Sequence, residues 1–147
     1  MPAIQEQVLA ALFARLQTLA GSVAGLQLER ERDTEVTQFP FVVQRAGDER
    51  TETIASGIAD HFLEVEIEAY AEGTTALAAR QAVSDLQARI CNLIAADPGL
   101  AGTAVDAAGT GMRGAVEFAR GQQPAAAAVF LFEVHYQTRE ADRYAVP

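Results

Sequence analysis

The chain has 147 residues and a net charge of −9, from 20 acidic and 11 basic residues, and every basic residue is arginine. A domain of this length buries about two thirds of the surface its unfolded form exposes, so it needs neither disulfide nor metal to hold it. A lone cysteine, Cys91, rules out an internal disulfide framework and a Cys/His cluster at zinc spacing. The acidity argues against binding nucleic acid over a broad surface, because phosphate contacts need clustered cations.

The opening stretch, Ile4 to Ala20, sets Ile4, Val8, Leu9, Leu12, Phe13, Leu16 and Leu19 on one stripe of an amphipathic helix stopped by Gly21. Its residues are periodic, with Gln5 and Glu6 where a secretory signal carries basic residues, so it reads as a helix of the folded domain. No run approaches the roughly 20 apolar residues of a membrane span. A short strand over Leu26–Arg30 follows, then a charged turn, Glu29–Glu35. Phe39–Arg45 is a second strand that begins at Pro40 or lies at an edge there.

The polar stretch between Arg45 and His61 reads as the arm of an extended β-hairpin, mobile in the free protein. Beyond it, His61–Tyr70 alternates, with Leu63, Val65, Ile67 and Ala69 on one face and Glu64, Glu66 and Glu68 on the other. Thr74 or Thr75 caps a second helix to about Ala96, with Ala79, Val83, Leu86, Ile90, Leu93 and Ile94 as its buried stripe. At about 33 Å it matches the strand it covers. Asp97-Pro98-Gly99 ends it. A strand over Met112–Phe118 and a turn at Arg120–Pro124 lead into Ala128–Thr138, the longest apolar strand, with Phe130, Phe132, Val134 and Tyr136 on one face. The fold class expected is α+β: a largely antiparallel or mixed sheet, both helices on one face and an extended hairpin arm, as one domain over 1–147.

Candidate chemistry is sparse. Gly109-Thr110-Gly111-Met112-Arg113-Gly114 satisfies GxGxxG, but a dinucleotide site needs a strand before it and a helix after it. A strand follows instead, so the motif reads as a flexible hairpin loop, and no cofactor or metal is expected. Cys91 reads as a small buried hydrophobe, and His61 and His135, on neighbouring strands, as solvent-side or interface residues. Glu64, Glu66 and Glu68 recur about 6.6 Å apart, near the separation of paired glycosidase acids, yet carboxylates repeated along a strand read first as the wet face of a sheet. A bordering acidic surface comes next, and catalysis after that.

The order of elements resembles the tail terminator, or tail-completion, proteins of long-tailed bacteriophages and prophages. The likeness rests on the opening helix, PFVVQR at Pro40–Arg45, LEVEIEAYAEG at Leu63–Gly73, LIAADPGLAG at Leu93–Gly102 and FEVHYQTREAD at Phe132–Asp142. Ala104–Gly114 has no counterpart in it. The resemblance implies a non-enzymatic virion protein: a homo-oligomeric ring, typically hexameric, on the head-proximal end of the tail tube. Such a ring ends tube polymerisation, meets the head–tail connector and lets DNA pass without specific binding or membrane contact. It would form in the bacterial cytoplasm and end in the virion tail. From this sequence itself, the candidate interface residues are Arg45, Asp48, Glu49, Arg50 and Thr51 on the arm, with Glu64, Glu66 and Glu68 on the acidic face. The competing readings are another head–tail connector or tail-tube component, a small α+β enzyme using the glutamate face or Cys91, and a ligand-binding or regulatory domain.

Overall fold

The computed structural model describes residues 1–147 apart from 33, 34, 55 and 122, with the backbone alone for 114–116 and 120. The elements run α1 (Ile4–Gln17), a 3-10 turn (Thr18–Gly21), β1 (Gln27–Arg30), β2 (Phe41–Ile54), β3 (Ile58–Glu72), α2 (Ala76–Ala96), β4 (Asp106–Arg120) and β5 (Gln123–Arg139). Among the described residues they form one α+β unit on a five-stranded sheet of order β1-β2-β3-β5-β4. Only β1 on β2 is parallel; the other pairings are antiparallel. The longest apolar strand, β5, lies second from an edge, and β3 holds the centre.

Strict alternation explains the layering. Leu63, Val65, Ile67 and Ala69 of β3 and Phe130, Phe132, Val134 and Tyr136 of β5 face the same side, where successive side chains of a strand must divide between faces. The α1 stripe (Ile4, Val8, Leu12, Leu16) and the α2 stripe (Ala79, Val83, Leu86, Ile90, Ile94) close over that inner face in one core. Each large side chain buried there contributes about 1.5–3 kcal/mol relative to leaving it in water. Thr75 caps α2 through Oγ1, which accepts from Ala78 N–H at 3.0 Å. The first helix has only Ala3 at its N-cap, and its Ile4 N–H donates instead to the Arg143 carbonyl at 3.0 Å. The C-terminal segment therefore supplies the cap.

Several elements differ from their expected form. Of the stretch expected as a mobile polar arm, 46–60, residues 46–54 and 58–60 are strand, paired up to Ile54↔Ile58. A hydrogen-bonded ladder shields amides rather than leaving them free, and β5 extends beside the hairpin as far as Ile58↔Arg139. Gly57, at φ +76°, supplies the left-handed residue of the turn. The strand expected over Met112–Phe118 runs from Asp106 to Arg120, so the GxGxxG stretch lies within a strand instead of a flexible loop. Its ladder with β5 shifts between Gly109 and Gly111. β2 begins directly after Pro40, and α1 stops at Gln17 with a 3-10 turn carrying the chain to Gly21.

A bulge between Ala46 and Glu49 decides what the hairpin presents. Before it, Val42 and Gln44 face the core. After it, Glu49 and Thr51 do, because they stand opposite the inward Leu63 and His61. Extra residues in one strand reset which side chains share a face. We predict that Phe130→Ala, at a site only 1% exposed, lowers the unfolding free energy in urea by about 3–5 kcal/mol. Met112→Ala, at a site 48% exposed, should cost less than about 1 kcal/mol.

Candidate functional site

The bulge and the alternation of β3 and β5 bring polar groups together at two places, one on each face of the sheet.

On the outer face Glu64, Glu66 and Glu68 of β3 follow one another along the strand, half-buried, and Glu66 and Glu68 are engaged. Arg45 Nε donates to Glu68 Oε1 at 2.9 Å, and Arg113 reaches Glu66 Oε1 at 2.9 Å from β4. Tyr70 also donates to Glu68, and burial together with that carboxylate pushes its phenol up to about 12. Glu64 stands directly opposite Glu133 of β5. Like charges so placed repel. Beside them Arg50 lies 4.4 Å over the Phe62 ring, which stacks at 4.6 Å on His135. His135 in turn holds Asp60 at 2.7 Å, and Gln137 donates to the same oxygen at 2.8 Å; these bonds keep the Asp60 carboxyl below its ordinary range. Asp48 is exposed at the bulge and shares a hollow with Arg50, Glu64 and Glu133. Among the described residues, no group of three or more His, Cys, Asp or Glu side chains is arranged to hold a metal.

The inner face carries the denser cluster, under the start of α1. Here His61 is fully buried and stacks at 4.7 Å on Tyr136. Its Nδ1 lies 3.0 Å from Thr51 Oγ1 and 3.1 Å from an Arg143 nitrogen, and its Nε2 lies 2.9 Å from Thr138 Oγ1. Glu49 accepts from the Tyr136 hydroxyl, from Arg143 at 3.0 Å and from Gln5 at 3.2 Å. Burial raises the Glu49 carboxyl, but the Tyr136 hydroxyl and the Arg143 guanidinium outweigh it and leave it lowered. Burial, with Glu49 second, raises the Tyr136 phenol. Ala3, Gln5, Glu49, Tyr136 and Arg143 line a cleft of about 190 Å³ between the cluster and solvent. Both imidazole nitrogens and both Glu49 oxygens are already bonded. This arrangement holds a chain segment in place.

The candidate interface residues thus divide. Arg45, Asp48, Arg50, Glu64, Glu66 and Glu68 lie on the outer face or at the bulge, whereas Glu49 and Thr51 turn inward. The expectation of a surface histidine fails for His61, which shares the parity of Leu63 and Val65. His135 is on the opposite face, so the two histidines do not face each other. Burial pushes the Cys91 thiol up, away from the thiolate a nucleophile needs. The sequence alone places Tyr136 only on the apolar face of the last strand, and assigns Thr138, Arg143 and Gln5 no part in a polar cluster. A polar pair, Tyr136 and Thr138, continuing an inward apolar register was the available signal.

No protein-family model matches this chain, and no curated protein is similar to it.

Glu49 with a lowered carboxyl contributes stability that is present above its ordinary value of 4.5 and is lost as pH falls through the folded value. We predict that Glu49→Gln flattens the fall of unfolding free energy between about pH 5 and pH 3, followed by urea titration at each pH. Tyr136→Phe should cost about 1–3 kcal/mol at neutral pH, because it strips a donor from a half-buried carboxylate.

Proposed function

We propose that this protein is a structural component of a tailed-phage virion. In this reading it forms a homo-oligomeric ring on the head-proximal end of the tail tube, ends tube growth and offers a surface to the head–tail connector. The observation that carries the reading is the element order: a helix, a short strand, a long hairpin, a second helix and a closing hairpin, with both helices on one face. That is the order on which the resemblance to tail terminator proteins rests.

The charge distribution supports it. Asp60, Glu64, Glu66, Glu68 and Glu133 share the outer face of the central strands, in a chain of net charge −9. A surface of that sign repels passing DNA instead of trapping it. Ring contacts join one patch to a different patch on the neighbour, and Arg45, Arg50 and Arg113 offer cations beside the carboxylates. DNA passage without specific binding, assembly in the bacterial cytoplasm and a final place in the virion tail belong to the same reading.

Light scattering over a range of concentrations, with negative-stain images of the same sample, tests it. We expect a closed ring of about six subunits, alone or on addition of tail tubes. Long stacked polymers would replace the terminator by a tube component. A strict monomer that ignores tail tubes would overturn the reading.

A further inference from the structure

The C-terminal segment after β5 is fastened at several points to parts of the chain far from it in sequence. Glu140 N–H donates to the Gly57 carbonyl at 2.8 Å, at the hairpin turn. The Arg143 carbonyl caps Ile4 of α1 at 3.0 Å. Within the segment, Arg139 N–H donates to Ala145 at 3.0 Å, Asp142 N–H to Arg139 at 3.1 Å, and Tyr144 N–H to Asp142 Oδ1 at 2.9 Å. Its one charged side-chain anchor to the sheet in this cluster is Arg143, gripped by Glu49 and by His61.

The hydrogen bonds fix the tautomer of His61. Thr138 spends its hydroxyl proton on the Arg139 carbonyl at 3.0 Å, so its oxygen accepts from His61 Nε2–H. In the neutral ring Nδ1 is then the acceptor, and it faces an Arg143 nitrogen at 3.1 Å. Arginine only donates and keeps its charge. A proton on Nδ1 would set an N–H and a positive charge against the guanidinium. We propose that the segment Arg139–Pro147 is a detachable strap whose docking requires a neutral His61, so that acidification releases it from the hairpin turn and from the start of α1.

Charged and titratable groups on both faces of the sheet bear on the balance. From β2, Glu49 Oε2 lies 3.9 Å from Nδ1, and from β3 there is Asp60; both favour the proton. From the strap, Arg143 opposes it, as does His135 from β5. Tyr136, also from β5, stacks on the ring with its hydroxyl on Glu49. The neighbour from α1, Gln5, is uncharged. Burial is the largest influence and Arg143 the next, and together they hold the imidazole below its ordinary value of 6.5. The sign follows. The released state binds the proton more readily, so docking is complete above about 6.5 and weakens as pH falls toward the docked value. The Glu49 carboxyl is lowered from 4.5, so Glu49 stays charged as pH falls from 6.5 to about 5. Release uncovers the Glu49 and Tyr136 cleft and leaves the Ile4 N–H without its cap.

Hydrogen exchange read by mass spectrometry on the intact protein tests the strap, at about pH 8 and pH 5 with times scaled to the intrinsic chemical rate. We expect the Arg139–Pro147 peptide to keep its protection at about pH 8 and to lose it at about pH 5. Core peptides around Leu63–Ala69 should hold their protection. His61→Gln should hold strap protection level between the two pH values, and His135→Gln should leave the response in place. Arg143→Gln should lower strap protection at both, which decides the matter even if His61→Gln does not fold. Strap protection that ignores pH in the native chain, a response that survives His61→Gln, an Arg143→Gln strap as protected as the native one, or core and strap loosening together would overturn the proposal.

Discussion

The ladder between β3 and β5 is the constraint on which the rest depends. All of β3, from Ile58 to Glu72, is paired in register with β5, from Arg139 back to Ala125, with no bulge. An unbroken antiparallel ladder fixes which side chains share a face along its whole length, since a slip of one residue would turn every core side chain to water. The inner face therefore runs from Ala69 and Ala128 at one end to His61 and Tyr136 at the other. Two helices cover its apolar length. Where the stripe turns polar, the chain needs a different cover, and the C-terminal segment with the start of α1 provides it.

That polar end is held by complementary bonds instead of apolar area. A buried imidazole and a half-buried carboxylate are costly unless every donor and acceptor finds a partner. Thr51, Thr138, Tyr136 and Arg143 meet that demand from the hairpin, β5 and the tail. The cluster makes the two ends of the chain mutually dependent, because α1 takes its N-terminal cap from the segment that Arg143 anchors.

The outer face follows a different logic. Its carboxylates are half-buried on neighbouring strands and are offset by arginines from β2 and β4, with one cross-strand pair, Glu64 and Glu133, facing each other. Exposed pairs of this kind stabilise a fold little, since water and salt screen them. Their weight falls on what the surface attracts or repels. A ring component beside DNA and an acidic face of this kind are mutually consistent.

The sequence by itself determined the helices, the alternation of β3 and β5, and the α+β class. These rest on local periodicity: the Ile4, Val8, Leu12 and Ala79, Val83, Leu86, Ile90 stripes, and the every-second-residue run through Leu63 and Phe130. It also placed the acidic row on one face and argued against a dinucleotide site at Gly109, because a strand instead of a helix follows the motif. Tertiary structure alone decided where Glu49 and Thr51 point, because the bulge after Ala46 arises from pairing with β3 and has no local period. It likewise decided the full reach of β4, whose Gly- and Ala-rich residues have weak strand preference and are drawn into the sheet by β5. The meeting of Glu49, His61, Tyr136 and Arg143 joins residues from both strands of the hairpin, from β5 and from the tail. No local spacing encodes such a meeting, since a hydrogen bond across the sheet exists only once the strands lie in register.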